Sequence, residues 1–239
     1  MAYVTDRIIH DADAHTMEPP EWLDEFGSQQ VRDYARTEFF AGEESPIFSE
    51  IDHCRTLHLD PEFRAKAEQE IMLRKNYRAH GASNSLDRSE ALDHMGFASQ
   101  LVFPTMPNTL LEVMEHEAAP SLTYEVASAA NRAQIAFCDA DPRLLPVAYI
   151  PLQDFELATS CAIEAINAGA ASLLIPNRMP KDHAHSHIAF DSIWARAQEA
   201  GIPIVMHVAT PDLVMPPQHR NNGLPLAVSY THLTLPTKA

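Results

Sequence analysis

The sequence predicts an α/β fold in which a parallel sheet is covered by helices. Three observations carry the prediction. Short, nearly unbroken apolar runs recur along the chain, at Gln100–Pro104, Leu145–Leu152, Ala171–Pro176 and Ile202–Val208. The segments between them have helical periodicity, and several of those segments stop at Gly or at Asp-Pro. Strands buried on both faces lose the in-out alternation, and strands joined by helices pair in parallel. Either an open doubly wound sheet or a (β/α)8 barrel satisfies this pattern.

The first strand is predicted at Ile8–His15, an apolar start that ends in acidic and imidazole groups. Pro19-Pro20-Glu21-Trp22-Leu23 reads as a short helix, with proline in its first turn. Residues 28–60 are polar and lack a sustained period, so they are expected to form an insertion over the barrel mouth. With the helical stretches that follow, that helical and loop insertion after the first strand extends over about residues 28–85. Pro61 opens a predicted helix over Glu62–His80, whose imperfect apolar face is Phe63, Ala67, Ile71, Leu73 and Tyr77. Another helix, Leu86–Met95, runs into Gly96, and the second strand is Gln100–Pro104.

An alanine-rich helix over Ser121–Ala140 closes at Asp141-Pro142, because proline disfavours helix at the residue before it. The third strand is Leu145–Leu152, and a helix over Phe155–Ala168 carries Leu157, Cys161, Ile163 and Ile166 near one side before Gly169 stops it. The fourth strand, Ala171–Pro176, a helix over Phe190–Ala200 and the fifth strand, Ile202–Val208, complete the series. Thirty-one residues follow Val208. Three more strand-helix units would need about 90 residues at roughly 30 each, so a closed barrel does not fit within these residues. Residues 1–228 are read as one domain, and residues 229–239, threonine-rich and foreign to the pattern, as a non-native or disordered tail.

The chain has 239 residues, 46% of them hydrophobic, enough for one sizeable core. A formal charge of −16, from 33 acidic and 17 basic residues, argues against nucleic acid or an anionic membrane surface as partner. The N-terminus lacks the apolar core of a signal peptide, and no apolar run reaches the ~18–20 residues that span a bilayer. A cytoplasmic protein is therefore expected. Cys54, Cys138 and Cys161 have no metal-type spacing and are expected to be reduced thiols. His183, His185 and His187 alternate in a polar segment and read as loop.

Candidate chemistry lies at two strand ends. On a regular strand Asp11, Asp13 and His15 share a face, with His10 and Ala14 on the other. A carboxylate and a neutral imidazole there suit a divalent cation if other strands add ligands. His207 lies near the end of the fifth strand, and parallel α/β sheets gather their carboxyl ends on one side. Asp13, His15 and His207 are thus the candidate metal ligands. Asp11, about 7 Å further back, is expected to bond a neighbouring backbone group or a ligand histidine. Glu18 is an acid-base candidate, with capping of the helix after Pro19 as the alternative role. Asn131 and Arg132 are read as structural, and Trp22 and Phe103 as packing or pocket-lining residues.

Asp11-Ala12-Asp13-Ala14-His15 followed by Glu18-Pro19 resembles the opening of the amidohydrolase-related family that includes aminocarboxymuconate-semialdehyde decarboxylase and the dihydroxybenzoate decarboxylases. Further matches are Leu92-Asp93-His94-Met95-Gly96-Phe97 before Gln100-Leu101-Val102-Phe103-Pro104-Thr105, Asn131-Arg132 with Phe137-Cys138, Asp141 to Val147, Gly169-Ala170-Ala171 and Ile204-Val205-Met206-His207. The likeness covers about residues 7–228 and lies in the order of the motifs. It implies an incomplete (β/α)8 TIM-type barrel, truncated at its C-terminus, with about the first five strand-helix units and a metal at the carboxyl strand ends. Asp13 and His15 would occupy the H-x-H or E-x-H position of the first strand, and His207 the histidine position of the fifth. Asp13 departs from the commoner histidine. The family's sixth-strand histidine and eighth-strand aspartate have no counterpart here, so the catalytic acid or base is unassigned. The resemblance implies a metal-dependent hydrolase or a non-oxidative decarboxylase, a carbon-carbon lyase, acting on a small carboxylated or cyclic substrate and using zinc ahead of manganese. The fragment alone is expected to be inactive, and the full-length protein to form a homodimer. A non-catalytic α/β binding module with structural Asp13 and His207 is the competing expectation.

Overall fold

The computed structural model describes residues 2–40 and 46–207. Five parallel strands in the order β1-β2-β3-β4-β5 form a curled half-barrel with helices along it. They are β1 His10–His15, β2 Ser99–Phe103, β3 Leu144–Tyr149, β4 Ser172–Ile175 and β5 Ile204–Met206. Each predicted strand is present; β2 keeps the length of its run, shifted by one residue, and the others are shorter than theirs. The predicted fifth strand reaches Val208, and that residue, like the expected tail at 229–239, lies outside the described residues.

The helices are α1 Gln29–Phe40, α2 Pro46–Leu59, α3 Pro61–Ala65, α4 Ser85–Met95, α5 Met106–Glu117, α6 Pro120–Cys138, α7 Phe155–Ala168 and α8 Asp191–Ala200. The core lies between the sheet and α6, α7 and α8. In α7 the buried stripe is Ala158, Cys161, Ala162 and Ala165, the i, i+3, i+4, i+7 spacing of one helix face. Leu157, expected on that face, is exposed. The Asn131 amide of α6 ties that helix to β3, donating to the Tyr149 carbonyl at 2.9 Å and accepting from the Tyr149 amide at 2.8 Å. This bears out the structural reading of Asn131. All three cysteines are free and buried.

Four sequence expectations are corrected. Residues 19–23 form turns and not a helix. The insertion is more helical than expected: among the described side chains α1 buries Val31 and Ala35, and α2 buries Ile51 and Cys54. So few buried positions give a weak pattern to read. The helix expected over Glu62–His80 ends at Ala65 and gives way to turns and a 3-10 turn at Asn76–Arg78, where Asn76 has φ +53°, a left-handed value that no α-helix accommodates. Helix α5 was not anticipated, because its buried face mixes Leu111 and Met114 with Asn108, Glu112 and Glu115. That polar face places α5 across the carboxyl ends of the strands. Glu115 accepts from the Tyr149 hydroxyl and the Leu152 amide at 2.8 Å, and Glu112 accepts from the Arg178 amide at 2.9 Å.

Candidate metal centre

Strand β1 pairs Asp11 with Gln100 and Ala14 with Val102, so Ala12 and Asp13 together stand against Leu101 alone. This is a β-bulge, and it breaks the period of two. Asp11 therefore does not share the face of Asp13 and His15. Its carboxylate accepts from Gln100 Nε2 of β2 at 3.0 Å and from the Asp13 amide at 3.1 Å, a bond that spans the bulge. The backbone-bonding role expected for Asp11 is the one it has.

The bulge aims Asp13 at the end of its own strand, and β5, across the curl of the sheet, hands over His207 one residue past its last paired position. His15 Nε2 lies 3.2 Å from His207 Nε2 and 3.3 Å from Asp13 Oδ1, while His207 Nε2 lies 3.0 Å from Asp13 Oδ1. Three ligand atoms thus form a nearly equilateral triangle. Ligands at about 2.0–2.1 Å from a tetrahedral ion are separated by about 3.3 Å, so two imidazole nitrogens and one carboxylate oxygen at these spacings fit one borderline divalent cation.

Neighbouring groups set the imidazole of His15. The single proton of the Thr105 hydroxyl goes to the Thr16 carbonyl at 2.6 Å, so Thr105 Oγ1 accepts from His15 Nδ1 at 3.1 Å. In neutral His15 the lone pair is then on Nε2, the atom at the triangle, which is the usual way an outer partner fixes a ligand tautomer. Asn108 of α5 reaches His207 Nδ1 at 3.3 Å. Buried Phe103 floors the site, its ring centroid 5.7 Å from His15 and 5.0 Å from His207. The imidazoles of His15 and then His207, each within 3.3 Å of it, hold the Asp13 carboxyl well below the usual carboxylate range, against its partial burial.

Glu18 is placed elsewhere. Its buried carboxylate accepts from the Thr105 amide at 2.9 Å, the Met106 amide at 3.0 Å and the Thr16 hydroxyl at 2.9 Å. It caps α5 and not the segment after Pro19, and burial pushes its pKa up. Trp22 packs on the core beside a cavity of about 280 Å³ that Thr16, Met17 and Phe137 also line. The histidines at 183, 185 and 187 lie outside helix and strand except that His187 caps a 3-10 turn; His183 and His185 bond the Leu152 and Pro176 carbonyls at 2.8 Å. Thr105 and Asn108 escaped the sequence reading. Thr105 had a usable signal, since it follows the second strand at its carboxyl end; Asn108 had none.

A curled parallel half-barrel with a two-histidine, one-aspartate cluster at its carboxyl ends defines the class. A family model described as amidohydrolase matches residues 51–234, and the chain belongs to that family. Of the ligand triangle, His207 lies inside the matched stretch, whereas Asp13 and His15 precede it. No curated protein matches the chain. Among solved structures, the crystal structure of an amidohydrolase from Mycobacterium avium subsp. paratuberculosis K-10 matches with a TM-score of 0.59 at 17% identity. The match covers 86% of this chain and 60% of that one. At that identity the likeness concerns the fold. Among the described residues no helix is long and apolar enough to cross a membrane.

Proposed function

We propose that Asp13, His15 and His207 hold one divalent cation, zinc ahead of manganese, and that the protein is a metal-dependent hydrolase acting on a small carboxylated or cyclic molecule. The observation that carries this reading is the ligand triangle, with edges of 3.0 to 3.3 Å. A cation held there would supply Lewis acidity toward a substrate carbonyl or carboxylate. The chain's own residues bind, orient and exclude water. Thr105 sets the tautomer of neutral His15 with its lone pair on Nε2, the Asp13 carboxylate lowers the net charge of the centre, and buried Phe103 packs beneath both imidazoles. Glu18, its oxygens committed to α5 and Thr16, is a cap and no proton carrier.

The motif order from Asp11 to His207 supports a second reading, non-oxidative decarboxylation, since it resembles that of a family that includes decarboxylases. Release of carbon dioxide without hydrolytic product separates the two. A cytoplasmic, homodimeric full-length protein with no nucleic-acid or membrane partner belongs to the same proposal. Three protein ligands leave the remaining coordination and the proton carrier to other groups, so the 239-residue chain alone is expected to turn substrate over weakly.

Metal analysis tests the centre. The chain should retain about one zinc or manganese ion at the triangle, and His207→Ala should abolish tight retention while the circular dichroism spectrum is kept. Unchanged occupancy in that variant removes the ligand assignment, and the absence of any stoichiometric ion favours the binding-module reading.

A further inference from the structure

We propose that His58, His80 and Asp87 form a second divalent-cation site, which staples the insertion to α4. His58 comes from α2, His80 follows the 3-10 turn at Asn76–Arg78, and Asp87 is in the first turn of α4. One ligand atom of each lies within 4.8 Å of the other two. The hydrogen bonds around the two imidazoles identify which nitrogens are available. His58 Nε2 lies 2.8 Å from the Tyr77 carbonyl oxygen, which can only accept, so Nε2 carries the proton and Nδ1 the lone pair. His80 Nε2 lies 2.8 Å from Glu90 Oε2, and donation to that carboxylate again leaves the lone pair on Nδ1.

Both Nδ1 atoms are buried without a hydrogen-bond partner, and the His80 side chain is only 2% exposed. Burying an unsatisfied acceptor costs free energy. The same arrangement, one ring nitrogen donating to a carboxylate or backbone carbonyl and the other bare, is the one that metal-ligating histidines adopt. Two imidazoles and a carboxylate suit a borderline cation such as zinc.

Arg64 occupies the carboxylate now. Its guanidinium donates to Asp87 Oδ2 at 2.9 Å and Oδ1 at 2.8 Å. Arg64, His58 and Asp87 all line a cavity of about 470 Å³, and the Arg64 side chain is 39% exposed. A cation entering from the cavity takes one Asp87 oxygen and one ring nitrogen of each histidine, and Arg64 swings out toward solvent. Binding is therefore a competition between the cation and a guanidinium for one carboxylate.

The test is zinc binding by the full 239-residue chain, with cobalt as a spectroscopic probe. In an Asp13→Ala/His15→Ala/His207→Ala background about one equivalent should remain. His58→Ala and Asp87→Asn, which spare the core residue His80, should each weaken it about tenfold or more. Arg64→Ala should strengthen it several-fold, an effect that a purely structural ion-pair cluster would not produce. Loss of all zinc in the triple-variant background, or retained zinc indifferent to His58→Ala and Asp87→Asn, overturns this site. Equal zinc content in the wild-type and triple-variant chains would instead overturn the centre at Asp13, His15 and His207 and leave this one standing.

Discussion

At the scale of single residues, the candidate centre depends on orientation more than on the presence of ligand types. Thirteen histidines are distributed along the chain, and what distinguishes His15 is a hydroxyl whose only proton is already given to Thr16. Thr105→Val keeps the shape and removes the acceptor of His15 Nδ1–H. Metal affinity, measured by competition with a chelator, should fall about 10- to 100-fold, and the lost bond to the Thr16 carbonyl should cost about 1 kcal/mol in unfolding free energy. Unaltered affinity would mean that the ring is held by Phe103 and His207 packing alone.

At the scale of elements, the bulge in β1 and the capping of α5 both bring groups to the strand ends. Helix α4 illustrates how a terminus fixes a strand nearby. Gly96 ends it at φ +74°, and a Cβ there would meet the Val4 carbonyl oxygen at 2.1 Å. Gly96→Ala combines left-handed strain of about 1–2 kcal/mol with that clash, and the residues before β1 must shift. We expect a loss of at least about 2 kcal/mol in urea unfolding; a loss below 0.5 kcal/mol, the range of an ordinary surface substitution, would show that the N-terminal segment is not held where Tyr3 and Val4 bond the end of α4.

At the scale of the whole molecule, buried carboxylates make stability depend on pH. Burial pushes the Glu115 carboxyl up to about 8 from 4.5, against hydrogen bonds from the Leu152 amide and the Tyr149 hydroxyl. The folded state keeps a proton that the unfolded state has released. Its stabilising contribution is complete below about pH 4.5 and is lost as pH rises through about 8. The depressed Asp13 acts in the opposite sense, but only in acid below the usual carboxylate range. Unfolding free energy should therefore decline by up to a few kcal/mol between about pH 5 and 8, and Glu115→Gln should flatten the decline. A slope unaffected by that substitution would show that the carboxyl is ionised in the fold.

Much of this fold was legible in advance, and the reason is local. β3 and β4 are buried on both faces and α7 buries one face on a helical period, so their unbroken apolar runs and the stop at Gly169 mark them directly. The elements that were missed bury mixed faces, as α5 does with Asn108, Glu112 and Glu115, or too few apolar residues, as α1 and α2 do. The order of residues by itself determined the parallel α/β architecture and singled out Asp13, His15 and His207 as candidate ligands. Only the tertiary structure decided that they converge, because convergence needs the bulge at Ala12 and Asp13 and the curl that brings β5 within reach of β1. The bulge is a property of the pairing of β1 with β2, 89 residues further along the chain, and the curl builds up across all five strands, so no local period records either.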